Sequence, residues 1–340
     1  MVKKVWVLGA SGYSGAELCR LLSRHPGTEL TAAFSFSEAS SGPITSLYPA
    51  LYGQLEINLS QWHADFLQQA SDVDVVFLAL PHEASHTLAP QFLALGCCVI
   101  DLSAAYRLHN LNNYPDYYGF EHAHAELLTS RTYALTSAGQ TTPAEQKTQY
   151  SHCELLSMPG CYPTAATLAL QPLIESGLLQ DEQMPVITAV SGVSGAGRKA
   201  SLATSFCEVS LRPYGVLTHR HQCEIEQNLQ REVMFVPQLG NFKRGIIAIC
   251  AARLTVGVGK EEVTAALHAA YANSPSVRLR QTPPQVDDVA HTPFCDIYAS
   301  VEGSKVVVVA AIDNLLKGAA SQAIEAFNLK FAFAQMEGLL

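Results

Sequence analysis

The first half of the chain consists of short apolar runs, which are separated by glycine-rich or polar loops and by segments with helical spacing. The runs cover residues 5–8, 29–34, 73–81 and 97–103. Short, almost wholly apolar runs are typical of strands that are buried on both faces of a parallel sheet. Helical spacing follows the first run at Leu18, Leu21 and Leu22. Alternating strands and helices of this kind predict a doubly wound α/β domain.

The second half has a different pattern, in which strand-like runs outnumber helical ones. The runs cover residues 185–190, 233–237, 245–255, 277–281, 294–301 and 305–312. Clear helical periodicity is found over residues 261–272. We therefore predict a mostly antiparallel sheet with helices on one face. An apolar helix over residues 319–331 needs a surface to pack on, and we expect it to return to the first domain.

The change of pattern places two domains on the chain. We predict a dinucleotide-binding domain over residues 1–160, completed by residues 316–340. Residues 161–315 are predicted to form a catalytic and oligomerisation domain. A length of 340 residues is consistent with two domains.

A glycine loop joins the first predicted strand to the first helix. Gly9, Gly12 and Gly15 have the spacing G-x-x-G-x-x-G, and Ser11, Tyr13 and Ser14 lie between them. Small residues at such a junction let a pyrophosphate approach the backbone and the helix N-terminus. The loop therefore predicts a dinucleotide site, with an ordinary tight turn as the alternative.

Two serines follow the second predicted strand, in the region where an NAD site places an acidic residue for the ribose hydroxyl. Ser35 and Ser37 can donate hydrogen bonds to a 2′-phosphate, although Glu38 is close and no Arg or Lys stands nearby. We therefore predict NADP as the cofactor and assign both serines to its site.

A cysteine stands near the middle of the chain, where another apolar helical pattern begins. Cys161 follows Gly160 and precedes Pro163. The first turn of a helix has unpaired N–H groups and the positive end of the helix dipole, and both stabilise a thiolate, the nucleophilic form of cysteine. Gly160 allows close backbone approach, and proline suits an early helical position. The motif indicates a covalent nucleophile; a small buried core residue is the alternative.

Two loops follow the third and fourth predicted strands. Pro81 ends one strand, and His82 and His86 then match the H-E-x-x-H motif of zinc enzymes. That motif needs both histidines within a helix and a third ligand, whereas here it follows a proline at a strand end. We interpret it as a loop that closes over the cofactor, and we expect no metal.

Arg107 follows the next strand, where α/β domains bind ligands, and is either an anion contact or a surface residue.

Cations and histidines also follow the first strand of the second half. The glycine-rich segment 191–199 ends in Arg198 and Lys199, a pattern that indicates an anion cradle. His219 and His221 flank an arginine at the start of a further helical pattern. Both histidines are candidates for acid–base catalysis beside a nucleophilic thiol, with a structural role as the alternative.

Composition narrows the class of protein. Hydrophobic residues make up 48% of the chain and charged residues 15%, whereas the usual charged share is about 25%. This low charge content is typical of a compact enzyme. The net charge of −9, without a basic run, disfavours nucleic acid and anionic membranes as bulk partners. Nine cysteines without a regular framework indicate free thiols in a reducing cytoplasm. The start does not have the pattern of a signal peptide, and no apolar run approaches the roughly 18 residues of a membrane span.

Seven segments, in order along the chain, carry a resemblance to a known family. They are GASGYSGAEL at 9–18, LPHEAS at 80–85, DLSAAYRL at 101–108, PGCYPT at 159–164, SGVSGAGR at 191–198, HRHQCEIEQ at 219–227 and DNLLKGAASQA at 313–323. The chain resembles the N-acetyl-γ-glutamyl-phosphate reductases from end to end. The resemblance implies an α/β plus α+β fold: a Rossmann-type NADP-binding domain with a glyceraldehyde-phosphate-dehydrogenase-like catalytic domain, whose sheet is mixed and mostly antiparallel.

The resemblance also implies roles for individual residues. Cys161 resembles the nucleophile of the family, and His219 or His221 its acid–base catalyst, of which we favour His221. The implied contacts with NADP are the loop 9–15, Pro81, His82, Gly192 and Asn314, the last of which would hold the nicotinamide carboxamide. The implied contacts with the charges of the substrate are Arg107, Arg198 and Lys199.

The implied reaction is the NADPH-dependent reductive dephosphorylation of N-acetyl-γ-glutamyl phosphate to N-acetyl-L-glutamate 5-semialdehyde through a cysteine thioester. A cytoplasmic homodimer or homotetramer is implied as well. The alternatives are a related dehydrogenase for aspartyl or aminoadipyl phosphate, a non-catalytic NADP-binding regulator, and a zinc hydrolase built on His82 and His86. The family usually has proline at the position of Cys223 and glycine at that of Ser321, and neither change touches a reacting group.

Overall fold

The computed structural model describes residues 1–137 and 143–340 of the chain. These residues belong to two compact units. Unit 1 consists of Met1–Ala134, Lys147–Pro159 and Ala319–Leu340, and unit 2 of Leu135–Gln146 and Gly160–Gly318. Within the described ranges, no helix has the length and apolar character that a membrane crossing requires.

Strands and helices are numbered along the chain. The strands are β1 (Lys3–Leu8), β2 (Thr28–Ser35), β3 (Gly42–Pro43), β4 (Asn58–Gln61), β5 (Val75–Leu78), β6 (Cys98–Asp101), β7 (Thr132–Tyr133), β8 (Leu155–Ser157), β9 (Val186–Ser191), β10 (Arg212–Pro213), β11 (Met234–Leu239), β12 (Ile246–Arg253), β13 (Val277–Leu279), β14 (Cys295–Glu302) and β15 (Lys305–Ile312). The helices are α1 (Tyr13–Leu22), α2 (Ile44–Leu47), α3 (His82–Ala94), α4 (Asn113–Tyr118), α5 (Ala125–Ser130), α6 (Pro143–Ser151), α7 (Cys161–Glu175), α8 (His221–Leu229), α9 (Lys260–Tyr271) and α10 (Ala320–Lys330).

The described part of unit 1 contains an eight-stranded sheet in the order β3-β4-β2-β1-β5-β6-β8-β7. Neighbouring strands are parallel, except for the antiparallel pair of β3 and β4. The central strands β5 and β6 are buried along their whole length, which explains why they appear as short apolar runs in the sequence. The sheet and its helices form the predicted Rossmann-type domain.

The helix α10 belongs to unit 1, where it packs against α1. Every residue of α10 is buried, including several polar ones. His25 donates a hydrogen bond from Nε2 to the Asn328 Oδ1 atom at 2.8 Å, and the Lys330 ammonium donates to the Cys153 carbonyl at 2.6 Å. These partners offset the cost of burying polar groups.

The described part of unit 2 contains a seven-stranded sheet in the order β10-β11-β9-β12-β15-β14-β13. Two neighbouring pairs, β9 with β11 and β13 with β14, are parallel, and the other pairs are antiparallel. The helix α7 packs on β12 and β15, and α9 packs on β13 and β14. This mixed, mostly antiparallel sheet confirms the predicted fold class.

Exposed apolar side chains lie on the opposite face of the unit 2 sheet. Side chains alternate between the two faces of a strand. In β12, Ala248 and Cys250 are buried, whereas Ile249 is exposed. Strand pairing places Val186 and Met234 on the same face as Ile249, and both are also exposed. Apolar groups gathered on one surface are typical of a contact with another protein.

Candidate active site

The helix α7 begins at Cys161 in unit 2. Gly160 precedes it as the N-cap in an extended conformation, with φ −69° and ψ 156°. The Gly160 carbonyl accepts hydrogen bonds from both the backbone N–H and the hydroxyl of Thr164, each at 2.9 Å. Pro163 has no N–H of its own, and so it loses no hydrogen bond at this early position of the helix. These features fix the thiol at the positive end of a helix dipole.

Cys161 differs from most other cysteines of the chain in its exposure. It is partly exposed and Cys207 is exposed, whereas the others are buried. Burial raises the pKa of Cys97 to about 11 and that of Cys250 to about 12, so these thiols stay protonated at neutral pH. Cys161 therefore combines access to a substrate with a helix N-terminus, as a reactive thiolate requires.

The helix α8 supplies a carboxylate to the backbone that precedes Cys161. Glu224 is fully buried, and its Oε1 atom accepts a hydrogen bond at 2.8 Å from the N–H of Gly160. A buried carboxylate needs such donors to offset its desolvation. We did not predict Glu224 from the sequence. Glu224 lies one helical turn after His221 on the same helix face, and this spacing could have indicated it.

A glycine packs directly against Cys161. A Cβ atom added at Gly318 would lie 2.8 Å from the Cys161 Cβ and 2.8 Å from the Asn314 carbonyl oxygen. Such contacts are too short for any side chain, so glycine permits the close approach of two segments. Gly318 was also missed in the sequence, where a lone glycine gives no sign of a distant neighbour.

His219 and His221 lie side by side at the start of α8. Their ring centroids are 4.8 Å apart, and the Nδ1 atom of His219 accepts a hydrogen bond at 3.1 Å from the backbone N–H of His221. Burial, with a smaller contribution from the Arg220 charge, lowers the pKa of His219 from 6.5 to about 4. His219 is therefore neutral at neutral pH and carries its proton on Nε2. His221 is buried.

Tyr162, the residue after Cys161, contacts both histidines and forms a hydrogen bond with a second tyrosine, Tyr214. The Tyr162 ring centroid lies 5.7 Å from that of His219 and 5.9 Å from that of His221. Tyr214 donates a hydrogen bond to the Tyr162 hydroxyl at 3.3 Å. Burial raises the pKa of both tyrosines, so both stay neutral. Unit 2 thus brings the predicted nucleophile and both acid–base candidates into one region.

The Asn314 side chain is held by hydrogen bonds to Gly245 and Ser194. Its Oδ1 atom accepts from the Gly245 N–H at 2.6 Å, and its Nδ2 atom donates to the Ser194 hydroxyl at 3.0 Å. A Cβ atom at Gly192 would lie 2.6 Å from the backbone nitrogen of Arg244, so glycine lets the loop after β9 pack against that segment. The predicted contacts of Asn314 and Gly192 with the cofactor stay predictions.

The predicted anion cradle contains a short 3-10 helix, Val193–Ala196. Gly197 follows with a φ of 81°, a conformation that favours glycine. Arg198 and Lys199 come next and are exposed, so both cations are accessible to an anionic ligand. Their role as substrate contacts stays a prediction.

The predicted dinucleotide loop connects β1 to α1 in unit 1. Gly9 has a φ of 86°, and a Cβ atom there would overlap the carbonyl oxygen of Ala79. A Cβ atom at Gly15 would overlap the carbonyl oxygen of Gly9, so both positions require glycine. Gly12 is the extended N-cap of α1. The backbone is therefore free of side chains where a pyrophosphate would meet the helix N-terminus, which fits a bound dinucleotide.

The two predicted 2′-phosphate contacts lie at different depths after β2. Ser35 is buried, and its hydroxyl donates a hydrogen bond to the Ser37 carbonyl at 2.8 Å. Ser37 is exposed. Ser37 is therefore the more accessible of the two hydroxyls.

The H-E-x-x-H segment lies in the first turns of a helix, so our interpretation of it as a loop is wrong. Pro81 is the N-cap of α3, which begins at His82. His82 Nε2 lies 3.1 Å from the Tyr118 carbonyl oxygen, and His86 Nε2 accepts a hydrogen bond at 3.1 Å from the Ala123 N–H. In the described ranges, no group of three or more metal-binding side chains is arranged to hold an ion.

Arg107 is buried at the carboxyl ends of two parallel strands. Its Nε atom donates to the Met158 carbonyl and its Nη2 atom to the Leu102 carbonyl, both at 2.8 Å. These carbonyls follow β8 and β6, at the edge where α/β sheets bind ligands. The alternative of a surface arginine is therefore excluded, and the predicted contact with the substrate stays a prediction.

Two family models match the chain. Residues 4–151 match the NAD-binding domain of semialdehyde dehydrogenases, and residues 161–314 match the semialdehyde dehydrogenase dimerisation domain. Aspartate semialdehyde dehydrogenase II of Vibrio cholerae, complexed with ASA, has a TM-score of 0.71 and 15% identity over 98% of this chain and 99% of that one. The Candida albicans aspartate semialdehyde dehydrogenase, solved with NADP, has a TM-score of 0.70 and 16% identity over 98% and 99%. These structures share the fold.

The fold and both matched domains define an oxidoreductase of the semialdehyde dehydrogenase class, which binds a nicotinamide cofactor. Closer relatives narrow the class. The N-acetyl-gamma-glutamyl-phosphate reductases of Yersinia pseudotuberculosis and Salmonella typhimurium are 50% and 48% identical over 337 residues, which is 98% of this chain and 98% of theirs. The chain belongs to the N-acetyl-gamma-glutamyl-phosphate reductase family, and the predictions of family and enzyme class are confirmed.

Proposed function

We propose that this chain catalyses the NADPH-dependent reductive dephosphorylation of N-acetyl-γ-glutamyl phosphate to N-acetyl-L-glutamate 5-semialdehyde in arginine biosynthesis. Membership of the reductase family supports the reaction. The mechanism rests on one observation: Cys161 is partly exposed at the first residue of α7, next to Tyr162, whose ring contacts His219 and His221.

Cys161 acts as the nucleophile. Its thiolate attacks the acyl-phosphate carbonyl, phosphate leaves, and a thioester forms on Sγ. The N-terminus of α7 carries the positive end of the helix dipole, which can stabilise the thiolate and the oxyanion of the tetrahedral intermediate. The hydrogen bond from Gly160 to Glu224 supports this role because it holds the backbone at the start of the helix.

The two histidines take different roles in this proposal. His219 is neutral, and its Nδ1 atom already accepts the His221 N–H, so its Nε2–H serves as a hydrogen-bond donor to the substrate. His221 accepts the thiol proton before the attack and returns it to sulfur when the hemithioacetal collapses to the aldehyde. When bound, NADPH supplies the hydride that reduces the thioester.

The proposed NADP site is assembled from several loops. Gly9, Gly12 and Gly15 would hold the pyrophosphate at the N-terminus of α1, since side chains at Gly9 and Gly15 would overlap the backbone. The exposed Ser37 hydroxyl would contact the 2′-phosphate, which favours NADP over NAD. The remaining proposed contacts are Ser11, Tyr13, Ser14, Ser35, Pro81, His82, Gly192 and Asn314.

Three cations are the proposed contacts for the substrate anions. An acidic protein with a net charge of −9 needs local positive charge to bind an acyl phosphate. Arg107 is held by two carbonyls, so its guanidinium has a fixed orientation. Arg198 and Lys199 are exposed directly after the glycine-rich loop of unit 2.

We further propose a cytoplasmic homodimer or homotetramer. The dimerisation-domain match over residues 161–314 supports self-association. So do Val186, Met234 and Ile249, which are exposed apolar residues on one face of the unit 2 sheet. The nine free cysteines support a reducing compartment.

The reverse reaction tests the reaction class, the substrate and the nucleophile together. N-acetylglutamate semialdehyde, NADP⁺ and phosphate are supplied, and NADPH is followed by absorbance before and after alkylation with iodoacetamide. Peptide mass spectrometry distinguishes alkylation of Cys161 from that of the exposed Cys207. Cys161→Ser should bind NADPH as the wild type does and show almost no turnover.

The possible outcomes separate the competing functions. Phosphate-dependent NADPH formation, lost in step with alkylation of Cys161, would support the proposal. Turnover with aspartate semialdehyde but not with N-acetylglutamate semialdehyde would support the same chemistry on a different substrate. No turnover with either aldehyde, despite NADPH binding, would favour a non-catalytic regulator. Equal rates with NAD⁺ and NADP⁺ would refute the assigned cofactor preference.

A further inference from the structure

An exposed apolar segment leads from the glycine-rich loop of unit 2 to the start of α8. We name residues 199–217 the arm. Its large apolar side chains are exposed as follows: Leu202 79%, Phe206 94%, Leu211 58%, Val216 47% and Leu217 59%. Single exposed apolar residues are common on protein surfaces, but five within one short segment mark a surface that another molecule covers.

One end of the arm lies at the candidate active site, and the other follows the predicted anion cradle. Its first residue follows Arg198, in the loop whose Ser194 side chain bonds to Asn314. Near its other end, Tyr214 donates a hydrogen bond to Tyr162 and lies 5.3 Å from the His219 ring, measured between centroids. The conformation of the arm therefore affects the residues around Cys161.

The arm has little regular secondary structure, namely a 3-10 turn over Leu202–Thr204 and one short strand. Its one strand, β10, has two residues, which pair with Leu239 and Gln238 at the edge of the unit 2 sheet. Leu217 has a φ of 58° at the third position of a turn that is closed by a hydrogen bond from the Thr218 N–H to the Gly215 carbonyl at 3.1 Å. This turn presents the Leu217 side chain to solvent.

We propose that a second copy of this chain covers the arm, and that this contact holds Tyr214 and His219 in the catalytic site. The inference rests on the proposed function, since it concerns the same site and the same homo-oligomer. Through β10 the arm pairs with β11, the strand that carries Met234 on the exposed apolar face of the same sheet.

The charges of the arm also favour a second copy over other partners. The arm contains Lys199, Glu208 and Arg212 and no cluster of either sign. A nucleic acid or an anionic membrane needs a basic surface, which the arm lacks. An apolar, nearly neutral surface can meet an identical surface without bringing like charges together, which suits a two-fold symmetric interface between identical chains.

Substitution of the most exposed arm residue tests the proposal. Phe206→Asp places a charge in the proposed contact, and Phe206→Leu keeps an apolar side chain there. Val256→Asp is the matched control, because Val256 is 93% exposed in unit 2 but lies outside the arm, between β12 and α9. Sedimentation velocity gives the oligomeric state, steady-state kinetics give kcat, and fluorescence titration gives the NADPH affinity.

We expect Phe206→Asp to be monomeric at concentrations where the wild type is oligomeric. Its kcat should fall at least about tenfold, because loosening of Tyr214 and His219 displaces groups around the thiol. NADPH affinity should stay within about twofold, since Tyr214 and His219 are not among the proposed NADP contacts. Phe206→Leu and Val256→Asp should match the wild type in both assembly and kcat.

Two results would overturn the proposal. An oligomeric Phe206→Asp variant with normal kcat would show that the arm is not the covered surface. A monomeric variant with normal kcat would show that the contact does not support the site. If Phe206→Asp fails to fold, dilution of the wild type decides instead, because its specific activity must fall together with its oligomeric fraction. A wild type that shows no turnover would contradict the proposed function, while sedimentation would still test the surface.

Discussion

Gly318→Ala should disable the enzyme through a steric effect on Cys161. The added Cβ would lie 2.8 Å from the Cys161 Cβ and 2.8 Å from the Asn314 carbonyl oxygen, whereas ordinary contacts begin at 3.4 Å. One or both segments must therefore move by about 0.6 Å. The φ angle of Gly318 lies outside the left-handed region, so alanine adds a clash without backbone strain.

The magnitude follows from the position of the clash. Displacement of a reacting group by about 1 Å costs about 10²-fold in rate, so kcat should fall by one to two orders of magnitude. Overpacking of this kind also destabilises a protein by about 1–3 kcal/mol. The contribution of the glycine loop to NADPH affinity should change little, because that loop belongs to unit 1. Steady-state kinetics in the reverse assay, thermal unfolding and NADPH titration measure the three effects.

Gly259→Ala is the matched control for this experiment. Gly259 has an extended backbone, and the nearest atom to an added Cβ is the Glu262 Oε2 atom at 3.5 Å, so alanine fits there without displacement. The control should keep the wild-type kcat. A Gly318→Ala enzyme with kcat within about threefold of the wild type would refute the argument that this glycine sets the position of the thiol.

Three further predictions concern α8. Glu224→Ala should lower the free energy of unfolding by about 1–3 kcal/mol, because the Gly160 N–H loses its acceptor; an unchanged denaturation midpoint would contradict this. His221→Asn should lower kcat by about 10²–10⁴-fold, and a larger loss in His219→Asn would reverse our assignment of the acid–base residue. Because the folded pKa of His219 is lower than the unfolded value of 6.5, the unfolded chain binds the proton more tightly, and stability should fall as the pH drops from 6.5 towards 4. Denaturant titrations of His219→Gln should show a smaller loss of unfolding free energy over this pH range. Identical pH profiles of the variant and the wild type would refute the lowered pKa of His219.

The fold could be predicted where burial leaves a pattern in neighbouring residues. The strand β5 is buried on both faces and lies within the apolar run 73–81, while α9 shows the periodicity of a helix with one buried face. The start of α7 is set by Gly160 and Pro163, both adjacent to Cys161. In each case the determinants are local.

The supporting contacts of the site could not be predicted, because they join residues that are distant along the chain. Glu224 and Gly160 are 64 residues apart, and Gly318 reaches Cys161 only through the packing of unit 2. Arg107 was predicted at a strand end, but its carbonyl partners depend on the order of β6 and β8 in the sheet. Such pairings leave no periodic signal.

Cys223, where the resemblance implies proline, has a local role. Cys223 is buried in the first turn of α8, its thiol donates to the Arg220 carbonyl at 3.2 Å, and burial raises its pKa to about 12. Proline, the usual residue of the family, also suits an early helical position, where no N–H partner is needed. The helix begins at His221 in this chain. The thiol therefore serves as a structural donor in place of a rigid ring.

The buried helix α10 has a consequence for the order of biosynthesis. Ribosomes make proteins from the N-terminus, and domains often fold as they emerge. Here most of unit 1 emerges first, unit 2 follows, and α10 arrives only after residue 318. Until then the surface of α1 that α10 covers stays open to solvent, or to a chaperone. A ribosome that stalls within unit 2 therefore leaves the nucleotide-binding domain without its last helix. That domain can be completed only after the catalytic domain has been synthesised.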